Sequence, residues 1–88
     1  MTYEVIRIDS TKINKRGHQY RRIVFKPKNY DFNEHPVLFC DVVKGFRNNQ
    51  WWIPIMKKYD KGERVMVTDL EVRGRQSVNA DCHPKIVR

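Results

Sequence analysis

The 88-residue chain is short of acid and of cysteine, and each shortage excludes something. Two cysteines, Cys40 and Cys82, are too few for the disulfide framework of a small secreted domain. Reduced thiols within strands, in a cytoplasmic protein, are the simplest expectation. No apolar run approaches the length of a membrane-spanning helix. No amphipathic segment with a basic rim is present, so a membrane partner is not expected. The opening MTYEVIRIDS has no basic segment followed by an apolar one, and no secretory signal is expected there. The chain has no Gly-rich phosphate loop, no HExxH and no CxxC. Its ten acids are nowhere paired at a spacing that suits acid–base chemistry. The expectation is a non-enzyme with no small-molecule substrate and no cofactor. Cys40, Cys82, His35 and His83 match no zinc-ligand spacing, and neighbours such as Cys82 and His83 should leave a strand on opposite faces. No metal is expected.

What is abundant is positive charge. Eighteen Lys and Arg against ten acids give a formal net charge of +8. Charge of one sign on so small a body repels itself, and a polyanionic partner relieves that repulsion. The charge is also segregated. From Ser10 to Tyr30 there is no acid, yet seven Lys and Arg lie there. Inside that interval Gly17 to Lys28, GHQYRRIVFKPK, sorts with period two. Ile23 and Phe25 fall on one face, and His18, Tyr20, Arg22 and Lys26 on the other. One face can enter a core while the other offers cations beside an aromatic ring. A solvated strand whose charge serves only solubility is the plain alternative.

The remaining elements read as short strands. Tyr3 to Ile8 is a strand with Ile6 and Ile8 on one face and Tyr3 and Val5 on the other. Asp9 to Arg16 is a loop or the tip of an extended ribbon, ending at Gly17. The second strand runs to about Lys26, because Pro27 removes a backbone donor. Residues 28–35 connect to a third strand, Val37 to Val43. Lys44-Gly45 is a turn. Phe46 to Tyr59 is ambiguous between a short helical turn and a strand broken at Pro54. Asp60 to Glu63 is a tight turn. Arg64 to Val72 is a fourth strand whose apolar phase changes, which predicts a bulge or sharp bend near Thr68 and Asp69. Arg73-Gly74-Arg75 is a hairpin loop. A fifth strand alternates, with Val78, Ala80, Cys82 and Ile86 inward and Asn79, Asp81 and His83 outward. Five short strands with at most one short helix describe one small all-β barrel spanning residues 1–88. An OB-like barrel is the expected form, with an SH3-like barrel the runner-up.

Aromatics point the same way. Four Phe, four Tyr and two Trp occur, and Phe25 is assigned to the core with Ile23. Trp51-Trp52 sits in a second acid-free window, Val42 to Tyr59, with Phe46 beside Arg47. Extended neighbours diverge, so one Trp is expected outside. A helical turn that lays both rings over the barrel end is the alternative. Cations interleaved with rings suit single-stranded nucleic acid, whose phosphates need neutralising and whose unstacked bases need flat partners.

Lys15-Arg16-Gly17-His18-Gln19-Tyr20, followed after thirteen residues by Glu34-His35-Pro36-Val37-Leu38, resembles the filamentous-phage gene V single-stranded DNA-binding proteins. Those proteins have a basic-Gly-x-x-Tyr hairpin tip and a Glu-aromatic-Pro-Val-Leu strand start at similar spacing. The likeness covers residues 15 to 38. It implies an OB-fold viral protein, in host cytoplasm, that forms a homodimer and coats single strands without sequence preference during DNA replication. It also implies that Arg16 and Tyr20 lie on a DNA-binding wing. The later hairpin of that family carries a stacking aromatic, whereas Arg73-Gly74-Arg75-Gln76 has none. The expected contact residues are Arg16, Tyr20, Arg22, Lys26, Lys28, Tyr30, Phe46, Arg47, Trp51, Trp52, Arg73 and Arg75. An RNA-binding module, or a basic subunit that docks on an acidic protein, fits the same composition.

Overall fold

The alternation around Ile23 and Phe25 sets the centre of the sheet. In the computed structural model, which describes residues 1–28, 36–46 and 50–88, β1 is Tyr3–Ile8, β2 Lys12–Ile13, β3 Gln19–Pro27 and β4 Leu38–Val43. β3 lies between β1 and β4, antiparallel to both. Ile23 and Phe25 are 0% exposed, and their cross-strand partners Cys40 and Leu38 are buried with them. Tyr20, Arg22 and Lys26 take the opposite face by the period of the strand. Val24 shares that second face and is buried too. As expected, β3 stops at Pro27.

β1 departs from strict alternation. Val5 pairs with Phe25 and Arg7 with Val24, so Ile6 is an extra residue in the ladder. The bulge puts Val5 and Ile8 together in the core and leaves Ile6 43% exposed. The expectation that Ile6 and Ile8 share a face is therefore corrected. Both branched residues favour a strand, and simple alternation cannot reveal the inserted residue. The polar stretch after β1 does form an extended ribbon. Lys12 pairs with Tyr20 and Ile13 with Gln19. Its tip closes on Asn14, whose Oδ1 accepts the Arg16 and His18 backbone N–H groups at 2.9 Å each. Gly17 supplies the left-handed conformation there, with φ of 81°.

The ambiguous segment is a helix. α1 covers Ile53–Asp60. Pro54 sits in its first turn, where no helical hydrogen bond is lost. Gly62, at φ 83°, ends it, and its N–H donates to Tyr59 O at 2.9 Å. Trp52 precedes α1 and is 0% exposed. Its Nε1–H donates to Ala80 O at 2.8 Å, and its ring lies 6.2 Å from that of Phe25. It thereby joins the helix start to the sheet core and to the turn after residue 78. Ile55, one turn further on, is also fully buried.

Beyond the helix come β5 (Met66–Thr68), β6 (Val72–Arg73), β7 (Ser77–Val78) and β8 (Lys85–Ile86). The bend expected near Thr68 and Asp69 is present, and Asp69 has φ of 64°. The uninterrupted fifth strand is not. The chain turns after Val78, with Asn79 Oδ1 accepting the Asp81 N–H at 3.0 Å and Asn79 O accepting the Cys82 N–H at 3.1 Å. Local hydrogen bonding by an Asn side chain competes with a ladder, and Pro84 offers no donor. Cys82 still points inward.

The sheet order is β6-β7-β4-β3-β1-β5-β8, with β2 added to β3. The β4–β7 pair is parallel. The all-β expectation with one short helix holds, but the described residues contain eight strand segments, not five. β5 and β6 are three residues apart in sequence yet lie on opposite flanks of the meander, so the sheet curls toward itself. One apolar cluster fills the concave side, from Val5 and Phe25 through Leu38 to Trp52, Val67 and Val78. No helix among the described residues is long and apolar enough to cross a membrane.

Trp52→Ala should destabilise the fold by about 3–5 kcal/mol, the usual cost of removing a buried aromatic, with Trp51→Ala costing well under half of that. Urea denaturation followed by circular dichroism measures both. Equal losses would show that the two rings share the burial.

Candidate nucleic-acid interface

The ribbon tip carries the exposed end of the basic stretch. Lys12, Lys15 and Arg16 are all exposed, and none has an ion-pair partner among the described residues. Among the described residues Arg16 is bonded through its backbone alone, its N–H donating to Asn14 Oδ1. Tyr20 follows at the root of the ribbon, half-buried, opposite Lys12 on one side and Val43 on the other. This brings Arg16 and Tyr20 into one projecting unit.

Further along the same face the cations are already engaged. Arg22 stands across from Asp41 in the ladder. Its Nε and Nη2 donate to the two carboxylate oxygens at 2.7 and 3.0 Å. Its guanidinium lies 4.4 Å from the centroid of the Phe39 ring. The hydrogen bonds to Asp41 raise the Arg22 pKa further above its ordinary value. Lys26 sits 3.8 Å from Glu4, which also binds Arg64 at 3.2 Å. Lys28 is exposed, but at roughly 3.3 Å per residue it lies at the far end of β3, about 26 Å from Tyr20. The run of basic residues is therefore one free cluster at the ribbon, the braced cations Arg21, Arg22 and Lys26 beyond it, and an exposed Lys28 at the far end.

The aromatics divide likewise. Phe46 is 51% exposed and meets His18 edge-on, with centroids 5.7 Å apart. Trp51 is 36% exposed and packs on His83 at 4.2 Å. Trp52 is fully buried, so it is withdrawn as a contact residue: a ring with no exposed face cannot stack on a base. One ring of the pair is outside, as expected, but a helix start rather than an extended strand separates them. Arg73 approaches Glu71 at 3.9 Å, whereas Arg75 is exposed on the β6–β7 hairpin without an ion-pair partner among the described residues. That hairpin joins the sheet where Ser77 pairs with Phe39. Tyr30 and Arg47 lie outside the described residues.

Four contributors were missed. Lys12 and Lys15 were visible in the acid-free run, but a two-residue strand gives no alternation that would single them out. Asp41 and Phe39 brace Arg22, and only the β3–β4 register reveals it. Cys40 and Cys82 are buried thiols. Desolvation, with lesser contributions from Cys82 and Asp41, pushes Cys40 up to about 12, and desolvation also raises Cys82. Neither is poised as a nucleophile.

A second fixed pair ties the helix end to β3. Arg21 donates from Nη1 and Nη2 to Asp60 at 2.9 and 3.1 Å, and from Nε to Asp9 O at 2.9 Å. The hydrogen bonds from Arg21 hold the Asp60 carboxyl below its ordinary 3.8. A carboxyl depressed in the folded state stabilises above its unfolded pKa and loses that contribution as pH falls through the folded one. The Asp60 side chain is 51% exposed, so solvent screening limits the contribution to about 0.2–1 kcal/mol. Thermal melts of the protein and its Asp60→Asn variant should differ most above pH 5 and converge as the pH is lowered below 3.8. A gap that widens in acid would refute the assignment. In comparisons with protein-family models, curated proteins and solved structures, the chain matches none.

Proposed function

We propose that this chain is a non-enzymatic protein that binds single-stranded DNA largely without regard to sequence, through the ribbon and the adjoining face of β3. The observation that carries this reading is the distribution of ion pairs. Every described Asp or Glu side chain except that of Asp81 lies within 4.0 Å of a Lys or Arg. Acid therefore braces Arg21, Arg22 and Lys26 on β3 and leaves Lys12, Lys15 and Arg16 uncompensated together on the ribbon, while Lys28, Lys44, Lys57 and Arg75 stand exposed elsewhere without an ion-pair partner among the described residues. A ribbon tip with three free cations, rooted at Tyr20, can follow a phosphate backbone while bases find flat partners. Nothing in it reads base edges, which accords with sequence independence.

The connectivity supports an OB-like barrel. A three-strand meander, a helix after its third strand, and return of the next strand to pair with the first is the Greek-key plan of that fold. On this reading β5 and β6 are one bent fourth strand, β7 and β8 a broken fifth, and β2 an extension of the first loop. The likeness to the gene V proteins in residues 15 to 38 adds a role in phage or plasmid DNA replication and a homodimer. The two ends of the sheet and exposed Val72, on the β6–β7 hairpin, offer edges for a symmetric mate.

Titrating tryptophan fluorescence with dT30, U30 and duplex DNA at several salt concentrations tests the reading. dT30 should quench Trp51, and affinity should fall with salt. The triple change Lys12→Ala, Lys15→Ala, Arg16→Ala should lower the salt slope by about 0.7 per lost phosphate contact. Arg22→Ala should lower it less, because Asp41 already neutralises that guanidinium. An unchanged slope in the triple variant would overturn the assignment of the ribbon. Tighter binding of U30 would move the function to RNA.

Sedimentation tests the mate separately. A dimer is expected at tens of micromolar, on the order of the concentration at which weak interfaces populate, and a monomer there would remove the homodimer.

A further inference from the structure

Between the ribbon root, the end of β4 and the exposed side of α1 lies a cleft of about 400 Å³. It is at the lower end of the range for small-molecule sites. Its lining is largely apolar, with Tyr20, Val42, Ile53 and Met56. Its rim carries Lys44 and Lys57, both exposed and both without an ion-pair partner among the described residues. The only carboxylate among its lining residues is Asp60, and Arg21 binds it through two hydrogen bonds. The free charge at the opening is therefore positive. The cleft is also continuous with the ribbon, since Thr11 lines it and Lys12 pairs with Tyr20.

An apolar slot of this size with two free ammonium groups at its mouth suits a ligand that is flat and apolar at one end and anionic at the other. We propose that the cleft binds one nucleotide, with the base against Tyr20, Ile53 and Met56 and the phosphate on Lys44 and Lys57. That this nucleotide belongs to a strand lying along the ribbon rests on the single-strand reading above; the chemistry of the cleft does not. Ile53 is 42% exposed on the first turn of a helix otherwise buried through Ile55. A base laid on it would cover apolar surface that the fold leaves open to water.

The test is a ¹⁵N chemical-shift titration of the full chain with three probes: dTMP, thymidine and dT30. dTMP should move the amides of Tyr20, Gly45, Ile53 and Met56. Thymidine, lacking the phosphate, should bind at least tenfold more weakly. The double variant Lys44→Ala, Lys57→Ala should weaken dTMP at least tenfold as well, while its amide spectrum reports an intact fold. Cleft amides that stay still with dTMP, equal binding of thymidine, or an unaffected double variant would each overturn the proposal. If dT30 moves Lys15, Arg16 and Gly17 while neither dT30 nor dTMP moves the cleft, the cleft proposal fails and the single-strand reading survives. If dTMP moves the cleft and dT30 moves nothing, the nucleotide site stands and the single-strand reading fails.

Discussion

Burial of the Trp52 ring is the contact on which the other features depend. A tryptophan with no exposed surface must satisfy its indole N–H internally, and it does so at Ala80 O. One side chain thus fixes three separate pieces: the start of α1, the β3 core at Phe25 and the turn that follows β7. Once Trp52 is inside, helical geometry puts Ile55 beside it and sends Ile53 out. Trp51, before the helix, is left to stack on His83. The exposed side of the helix then becomes a wall of the cleft. Removing the plug would loosen the sheet and the cleft together.

The electrostatic design follows from a shortage. With so few acids, each one placed against a specific cation decides where charge is left over. Glu4 holds two cations, Lys26 and Arg64, and Asp41 and Asp60 each bind an arginine through two oxygens. Such exposed pairs contribute little stability individually. Their larger effect is to hold guanidinium groups in fixed positions and cancel their fields. The ribbon escapes this because it has no acid of its own, and no described carboxylate pairs with its cations. An interface that depends on phosphate attraction gains more from mobile, unpaired cations than from braced ones, since a braced cation must give up a partner first.

Much of the sheet was legible in the residues. Ile23 and Phe25 inside, the ribbon tip at Gly17, the stop at Pro27 and the bend at Asp69 all follow from period, glycine and proline. What was not legible was long-range register. The bulge at Ile6 leaves no local trace, because isoleucine suits a strand on either face. Asn79 and Pro84 break a segment whose alternation looked clean, since turn chemistry outweighed apolar period. Arg22 looked like a free contact because its neighbour in space, Asp41, is nineteen residues away. The Trp51-Trp52 pair was read correctly as divided, but for the wrong local geometry: Pro54 starts a helix here instead of breaking a strand.

Two of these misreadings bear on the site itself. The roles of Ile6 and Arg22 are set by partners distant in sequence, whereas the ribbon cluster depends on no such partner among the described residues. Its cations are exposed and meet no carboxylate among the described residues, and the interval from Ser10 to Tyr30 holds no acid. Binding surface and folding core are consequently separable in this chain. Lys15 and Arg16 are exposed at the ribbon tip and stand outside the apolar cluster, and their loss should leave the Trp52 plug undisturbed. Tyr20 is the exception, since it pairs with β2 and β4 and also lines the cleft. Any strand that runs from the ribbon into the cleft must pass this ring. Tyr20 is therefore where the charge at the ribbon and the apolar slot beside α1 would act on one ligand.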